Sequence, residues 1–453
     1  LERKTLNQDG ISFQWLANTF DVYANPLNVT RSSNLGFSKS ETMAYEQFTN
    51  HWVVGQMKSL QDQSTGALEQ ENTFISPLGQ LDETKRFTQK QLKRSYRADG
   101  TIQTIQDGKL NTTTLSNYER GVPKNILYAS GATQSAVVTP IGTISSITDA
   151  MGFSSTFNYD NIGRLQQINF PLADSTAWNA INLVFEKRTT TDYGISGTHW
   201  RQLQTTGNAL KETYFDALWR PILTCARDTA APSNNRCTRT VYNTQGQVSF
   251  QSYPGILVSS ATNYSTLTTG INTTYDLLGR PTQVIADSEL GPLATTTEYL
   301  TGFKTRVTNP RNQITTTEYL SWDQPSTELP TRIESPEGIV TTFTRDVFGK
   351  PTAITRSGTY LGNPISVTRR YVYDDKQRLC KTIEPESGAT IVEYDAADNI
   401  LWRTQGSMLT TLTCDRASVP LSERSQYSYD AMNRVIAIDH PNGTDDIGYT
   451  YFD

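Results

Sequence analysis

The residues of this chain best suited to chemistry come as a set. In Tyr275-Asp276-Leu277-Leu278-Gly279-Arg280-Pro281 a carboxylate, a guanidinium and a phenol stand close together, the residue types from which acid–base sites are built. The set returns in Tyr159-Asp160-Asn161-Ile162-Gly163-Arg164, Phe215-Asp216-Ala217-Leu218-Trp219-Arg220 and Arg345-Asp346-Val347-Phe348-Gly349-Lys350. It returns again in Tyr373-Asp374-Asp375-Lys376-Gln377-Arg378, Tyr394-Asp395-Ala396-Ala397-Asp398-Asn399 and Tyr429-Asp430-Ala431-Met432-Asn433-Arg434, with a degraded copy at Tyr242-Asn243-Thr244-Gln245-Gly246-Gln247. A catalytic constellation occurs once in a chain. One that recurs at every turn is structural.

Other chemistry finds little support. His51, His199 and His440 are the only histidines, and with no second histidine at metal-ligand spacing, ordinary packing or exposure is expected of each. Gly-x-Ser-x-Gly, His-Glu-x-x-His, phosphate-cradling and EF-hand patterns are missing. Pairs such as Asp374-Asp375 and Asp445-Asp446 are what any chain with 45 acidic residues offers. No catalytic residue, cofactor or metal ligand is assigned, and the chain is expected not to be an enzyme.

The elements that carry the recurring set are strands. Asp276 and Gly279 take the first and fourth places of a type I turn, where Asp accepts hydrogen bonds from its own turn backbone and Gly supplies positive φ. Arg280 restarts the chain opposite Asp276, so one unit is a β-hairpin. Where glycine is lost, Asn433 and Asp398 tolerate the left-handed position and the turn survives. Trp219 and Gln377 fit less well and predict a wider loop or a strained turn. Before most turns runs a Pro/Gly turn and a Thr-rich strand ending in an aromatic, as from Asp149-Ala150-Met151-Gly152 to Tyr159 or from His440-Pro441-Asn442-Gly443 to Tyr451. Repeats of about 20–35 residues are the range of stacked supersecondary units. The expected fold is all-β, built of tandem antiparallel hairpins: a degenerate repeat region over 1–150, continuous with clear repeats over 151–453. Residues 42–58 could form a helix, but their pattern favours strands. Tyr159, Tyr275, Tyr373, Tyr394 and Tyr429 are expected to stack as a ladder, each cross-strand pair contributing roughly 0.2–1 kcal/mol. Loops or extended hairpins are expected at 173–180, 227–236 and 404–425. The sequons at Asn28, Asn111, Asn263, Asn272 and Asn442 are expected on surface turns.

Composition agrees with a wall more than a globule. The apolar residues are 36%, and adding the 29 glycines leaves the total below the roughly 45–50% of a typical domain. The excess is Thr, Ser, Asn and Gln, which suit a sheet with one face in water. A net charge of −5 with both signs interspersed argues against nucleic-acid binding, and no apolar run approaches the roughly 18 residues that span a bilayer. The start at Leu1 and the stop inside another Tyr-Asp unit suggest an internal piece of a longer protein. Cys225 and Cys237 flank a Pro/Asn-rich loop, while Cys380 follows a repeat turn and Cys414 lies in a long connection. Either two bridges form, each adding about 3–4 kcal/mol and implying an oxidising destination, or all four cysteines are reduced strand residues.

The Tyr-Asp-x-x-Gly-Arg-Leu/Pro turns, the preceding Gly-x-x-Thr-Thr-x-Tyr strands and the trailing x-x-Val/Ile-x-x-Pro segments resemble the Rhs/YD-repeat family, which includes bacterial Rhs polymorphic toxins, the C component of insecticidal toxin complexes and teneurins. Coverage is strong from Gly152 onward and weaker upstream. The resemblance implies a long sheet wound as a spiral into a hollow shell that encloses a C-terminal toxin or effector of the same polypeptide, absent from this sequence. It implies a protein that is secreted or on the bacterial cell surface. A cell-surface adhesion or carbohydrate-binding protein is the alternative, with a glycan or receptor as partner and Trp178, Trp200, Trp219, Trp322 and Trp402 as candidate groove residues.

Overall fold

The computed structural model describes residues 1–172, 175–441, 443 and 445–451. Ala173 and Asp174 of the expected 173–180 loop, the sequon residue Asn442, and Phe452 and Asp453 at the end of the expected repeat region lie outside the described residues. Among the described residues 37 strands form one antiparallel sheet, almost every strand pairing with its neighbours in sequence, as Gly270–Tyr275 does with Pro281–Ala286. Alternation of exposed and half-buried positions, seen in Ser154–Tyr159, is the period-2 signature of a sheet with unlike faces. The sheet takes in residues 1–150 as well, and 42–58 falls on the strands Ser38–Phe48 and Val53–Asp62. No helix among the described residues is long and apolar enough to cross a membrane.

Each repeat turn has the same hydrogen bonds. The Gly279 N–H donates to Asp276 O at 3.0 Å and the Asp276 N–H to Arg280 O at 2.9 Å, with Gly279 at φ +80 and a register shift between Thr274 and Tyr275. That is a type I turn closed by a left-handed residue, the usual three-residue hairpin loop. Asn433 and Asp398 hold this position at φ +60 and +64. Trp219 and Gln377 hold it too, at φ +64 and +62, with the same pair of backbone bonds. Of the two outcomes expected there, the structure has the strained turn, because flanking strand pairing sets the loop length. The turns at 97–101 and 107–111 repeat the pattern without a Tyr-Asp pair. Asn28 and Asn272 correct the sequon reading: they sit in the strands Pro26–Ser33 and Gly270–Tyr275, because Asn-x-Thr is also part of a Thr-rich strand.

Successive hairpins turn alternately at two edges of the strip, and every Tyr-Asp turn falls on one of them. After roughly a full circuit this edge meets the other edge of the early hairpins. Arg280 reaches Asp9 at 2.6 Å across 271 residues, and Asn433 donates to Asp107 at 2.8 Å across 326. The strip therefore lies against itself along a seam.

Burial is local. One cluster gathers Tyr193, Ile195, Tyr214, Leu223, Leu257 and Leu267 around Cys225 and Cys237. A second holds Ile383, Ala389, Ile391, Trp402 and Val419. A third, Ile11 and Phe13 with Phe303, lies at the seam. In the first two, long connections fold over the sheet beside a disulfide. Cys225 and Cys237 are paired across adjacent strands, and Cys380–Cys414 spans 34 residues to tie down the 404–425 connection. The connections at 189–198 and 253–269, which supply Tyr193, Ile195, Leu257 and Leu267 to the first cluster, carried no insert signal in the sequence. Replacing either cysteine pair by serine is expected to lower stability by about 3–4 kcal/mol in denaturant unfolding. Unchanged midpoints would mean that the bridges add nothing to the stability of the folded chain.

Candidate functional site at the repeat turns and the seam

Within a turn the aspartate is saturated by its neighbours. Asp276 Oδ1 accepts the N–H groups of Leu278 and Arg280, both at 2.9 Å, and Oδ2 takes Arg280 Nε at 2.7 Å. Asp160, Asp216, Asp374 and Asp430 repeat these three bonds. At Asp346 the two backbone bonds remain and Lys350 Nζ lies 3.7 Å away. At Asp395, Asn399 stands in for arginine. Burial pushes the carboxyls of Asp160, Asp216, Asp276, Asp374, Asp395 and Asp430 up, but the turn N–H groups and the partner side chain outweigh it, so each stays below the usual carboxylate range.

A carboxyl with a lowered native pKa binds its proton more weakly than the unfolded chain does, so acid favours unfolding. The stability these groups contribute is complete above about pH 4 and is lost as pH falls through the native values. Melting temperatures should change little from neutrality to pH 5 and drop below pH 4. A flat profile to pH 3 would remove the turns as the acid-sensitive element. Gly279→Val should cost a few kcal/mol, since φ +80 disfavours a β-branched residue and its Cβ would stand 2.8 Å from Gln247 Nε2. An unaltered melt would exclude that strain.

The tyrosines do not stack on one another. Tyrosines of successive repeats are separated by an intervening strand, and two strand spacings of about 4.8 Å leave a gap too wide for ring contact. The post-turn cation fills it. Arg220 lies over Tyr242 at 4.4 Å, Arg280 over Tyr299 at 3.7 Å, Lys350 over Tyr373 at 4.5 Å and Arg378 over Tyr394 at 4.9 Å. Each phenol then donates to the carbonyl just after that cation: Tyr242 to Pro221, Tyr299 to Pro281, Tyr373 to Pro351, Tyr394 to Leu379. Tyr159, Tyr275 and Tyr429 donate to Ile144, Val248 and Ile400. Burial, aided by the Asp346 charge, pushes Tyr373 up to about 12, which keeps it a donor. The ladder alternates cation and phenol.

The seam draws on the same residues. Arg280 bridges Asp276 in its own turn and Asp9 in the earlier winding. Gly302 N–H donates to Asp9 O at 2.9 Å, Ser33 Oγ to Ser321 O at 2.6 Å, and Lys109 pairs with Asp395 at 3.2 Å. Rings meet across it, Phe13 with Phe303 at 5.0 Å and Phe87 with Phe348 at 5.1 Å. Lys350, held among Phe87, Phe348 and Tyr373, has its pKa pushed down by burial. Gly349 faces Trp322 and Leu329.

The remaining candidates are dispersed. His51 lies in the exposed 3-10 turn Thr49–His51. His199 is buried with Nε2 3.3 Å from Asp192 Oδ2, which also binds Arg188; sequence reading had no sign of this charged group. His440 Nδ1 is 3.2 Å from Ser425 Oγ. No cluster of three metal-ligating side chains occurs among the described residues. The tryptophans do not share one groove. Trp402 is buried under Arg424 at 4.1 Å and Trp178 packs near Phe170, while Trp200 and Trp219 stack with Phe185. The repeated acids, cations and phenols therefore satisfy one another, and what they do is lock hairpins to hairpins and winding to winding.

No protein-family model matches the chain, and no curated protein does. Solved structures do. The crystal structure of TcdB2-TccC3 without its hypervariable C-terminal region superposes with a TM-score of 0.51 at 10% identity, over 98% of this chain and 39% of that one. The crystal structure of TcdB2-TccC3-Cdc42 gives 0.51 at 10% identity, over 98% and 41%. The Photorhabdus luminescens Tc holotoxin pore carrying the TccC3 D651A mutation gives 0.52 at 11%, over 94% and 24%. The chain thus spans well under half the length of these proteins and shares their fold.

Proposed function

We propose that this chain is a wall segment of a secreted bacterial shell of the Rhs/YD-repeat kind, enclosing and delivering a C-terminal toxin or effector that lies outside these 453 residues. The observation that carries the proposal is the seam: a single-layer strip closes against its own earlier winding through Arg280–Asp9, Lys109–Asp395 and Asn433–Asp107. Such a strip encloses space instead of filling it. The fold shared with the toxin-complex structures supports this reading, and the two disulfides support an oxidising destination. The proposed role is mechanical, with no reaction catalysed by the wall. Electron microscopy of the intact protein tests it. An internal cavity containing cargo density is expected; a solid particle or a flat array removes the proposal, and reproducible substrate turnover by this chain overturns the non-catalytic part.

A further inference from the structure

Strand registers carry the side-chain alternation from hairpin to hairpin, so each strand residue between Ser154 and Asp439 is assigned to one face of the strip. The repeat tyrosines share one face. Like residues are less exposed on it: Thr273, on the face of Tyr275, is half-buried where Thr274 is exposed, and Ser425, on the face of Tyr427, is half-buried where Ser428 is exposed. A covering layer does not explain this, since the connections of the two large clusters pack on the opposite face, against Tyr214, Leu223, Ile391 and Trp402. Side chains on a curved sheet converge on its concave side, so the tyrosine face is the inner wall of the winding.

Charge is sorted between the two faces. The inner face holds Lys187, Lys211, Arg236, Arg356, Arg369 and Arg403. The carboxylates of Glu186, Glu212, Glu298, Glu318, Glu334 and Glu393 stand on the outer face, several of them paired there with Arg201, Arg306, Lys304 and Arg332. Among the described strands from Ser154 to Asp439, only Asp228, at a strand end, and Glu384 put a carboxylate inside, and Glu384 pairs with Arg369 at 3.0 Å. Acids of the turns lie at the edges. Lys187, Lys211, Arg236 and Arg356 are exposed and pair with no carboxylate among the described residues, although the whole chain carries −5. We infer that this inner face takes an acidic polypeptide segment, the cargo of the shell reading on which the inference rests. Lone cations spread over one winding attract such a chain without fixing its sequence. They are too sparse for a phosphate backbone, and rings on which bases would stack are already covered by Arg220, Arg280 and Arg378.

Fluorescence anisotropy of labelled poly-L-glutamate with the 453-residue chain tests it. Binding is expected, weaker in high salt, and Lys211→Glu, Arg236→Glu and Arg356→Glu together should weaken it about tenfold. Arg356→Glu alone should weaken it about twofold, and more than Arg370→Glu, since Arg370 is exposed on the outer face of the paired strand. Glutamine at the three inner positions decides the matter if the glutamate variant loses the parent's circular dichroism melt. The inference is overturned by a lack of binding, by equal effects of Arg356→Glu and Arg370→Glu, or by single-stranded DNA binding more tightly than poly-L-glutamate. Those results leave the cavity sought by electron microscopy untouched. A solid particle together with glutamate binding that depends on the inner positions would instead remove the shell and keep the acidic partner.

Discussion

Gly108→Ala opens the seam. The backbone of Gly108 is outside the left-handed region, so alanine loses nothing conformationally, and the methyl group alone is tested. Its Cβ would lie 1.8 Å from Ala396 O and 2.7 Å from Ala396 C, with Lys90 O at 3.1 Å on the other side. These are backbone atoms on both windings and cannot swing aside as a side chain would. Overpacking usually costs 1–3 kcal/mol, occasionally more. Here the windings must also separate at Lys109–Asp395, Asn433–Asp107 and the bond from Gln89 to Ala396 O, so a loss of about 3 kcal/mol or more is expected. Hydrogen exchange should rise at 107–111 and 395–399 together. Gly448→Ala, with open space around its added carbon, is the control. Equal melts for the two variants would mean that the windings do not touch at Gly108.

Lys381→Met loosens the 404–425 connection. Lys381 is fully buried, its ammonium paired with Asp415 and donating to Thr411 O at 2.9 Å. Methionine keeps the volume of the stem and removes the charge. Deleting one member of a buried pair costs roughly 3–5 kcal/mol, and since Asp415 keeps some solvent contact a loss of about 3 kcal/mol is expected in urea unfolding, with faster exchange over 408–424. The acid response gives a second reading. The Lys381 ammonium, with Thr411 and Thr413, holds Asp415 at about 2 against an ordinary 3.8. The lowered native value makes this stability complete above about pH 4 and lost on falling toward pH 2. Lys381→Met should shrink that acid limb. A loss under about 1 kcal/mol with an unchanged acid limb would show the pair to be incidental.

Much of the local structure was legible because its causes are local. The aspartate of each turn bonds to N–H groups two and four residues on, so Tyr-Asp-x-x-Gly-Arg specifies hairpin and register without reference to anything distant. The low apolar content likewise matches a wall with small, separate cores. The ladder was misread for a geometric reason: repetition shows that tyrosines recur on one edge, but not that a strand intervenes and presents Arg220, Arg280 or Arg378 to fill the space. At Trp219 and Gln377 intrinsic backbone preference leaves a wider loop and a strained turn both open, and flanking strand pairing selects the strained turn.

By itself, then, the sequence determined the hairpin, its turn and the all-β class, through hydrogen bonds that close within five residues. Only the tertiary structure decided that Arg280 has two aspartates to hold, that Gly108 must lack a side chain, that Phe303 is covered by Phe13, and that Cys414 is tied back to Cys380. Those facts depend on curvature accumulated over many strands, which brings residue 9 beside residue 280, and no short-range pattern in the chain encodes a sum of small twists.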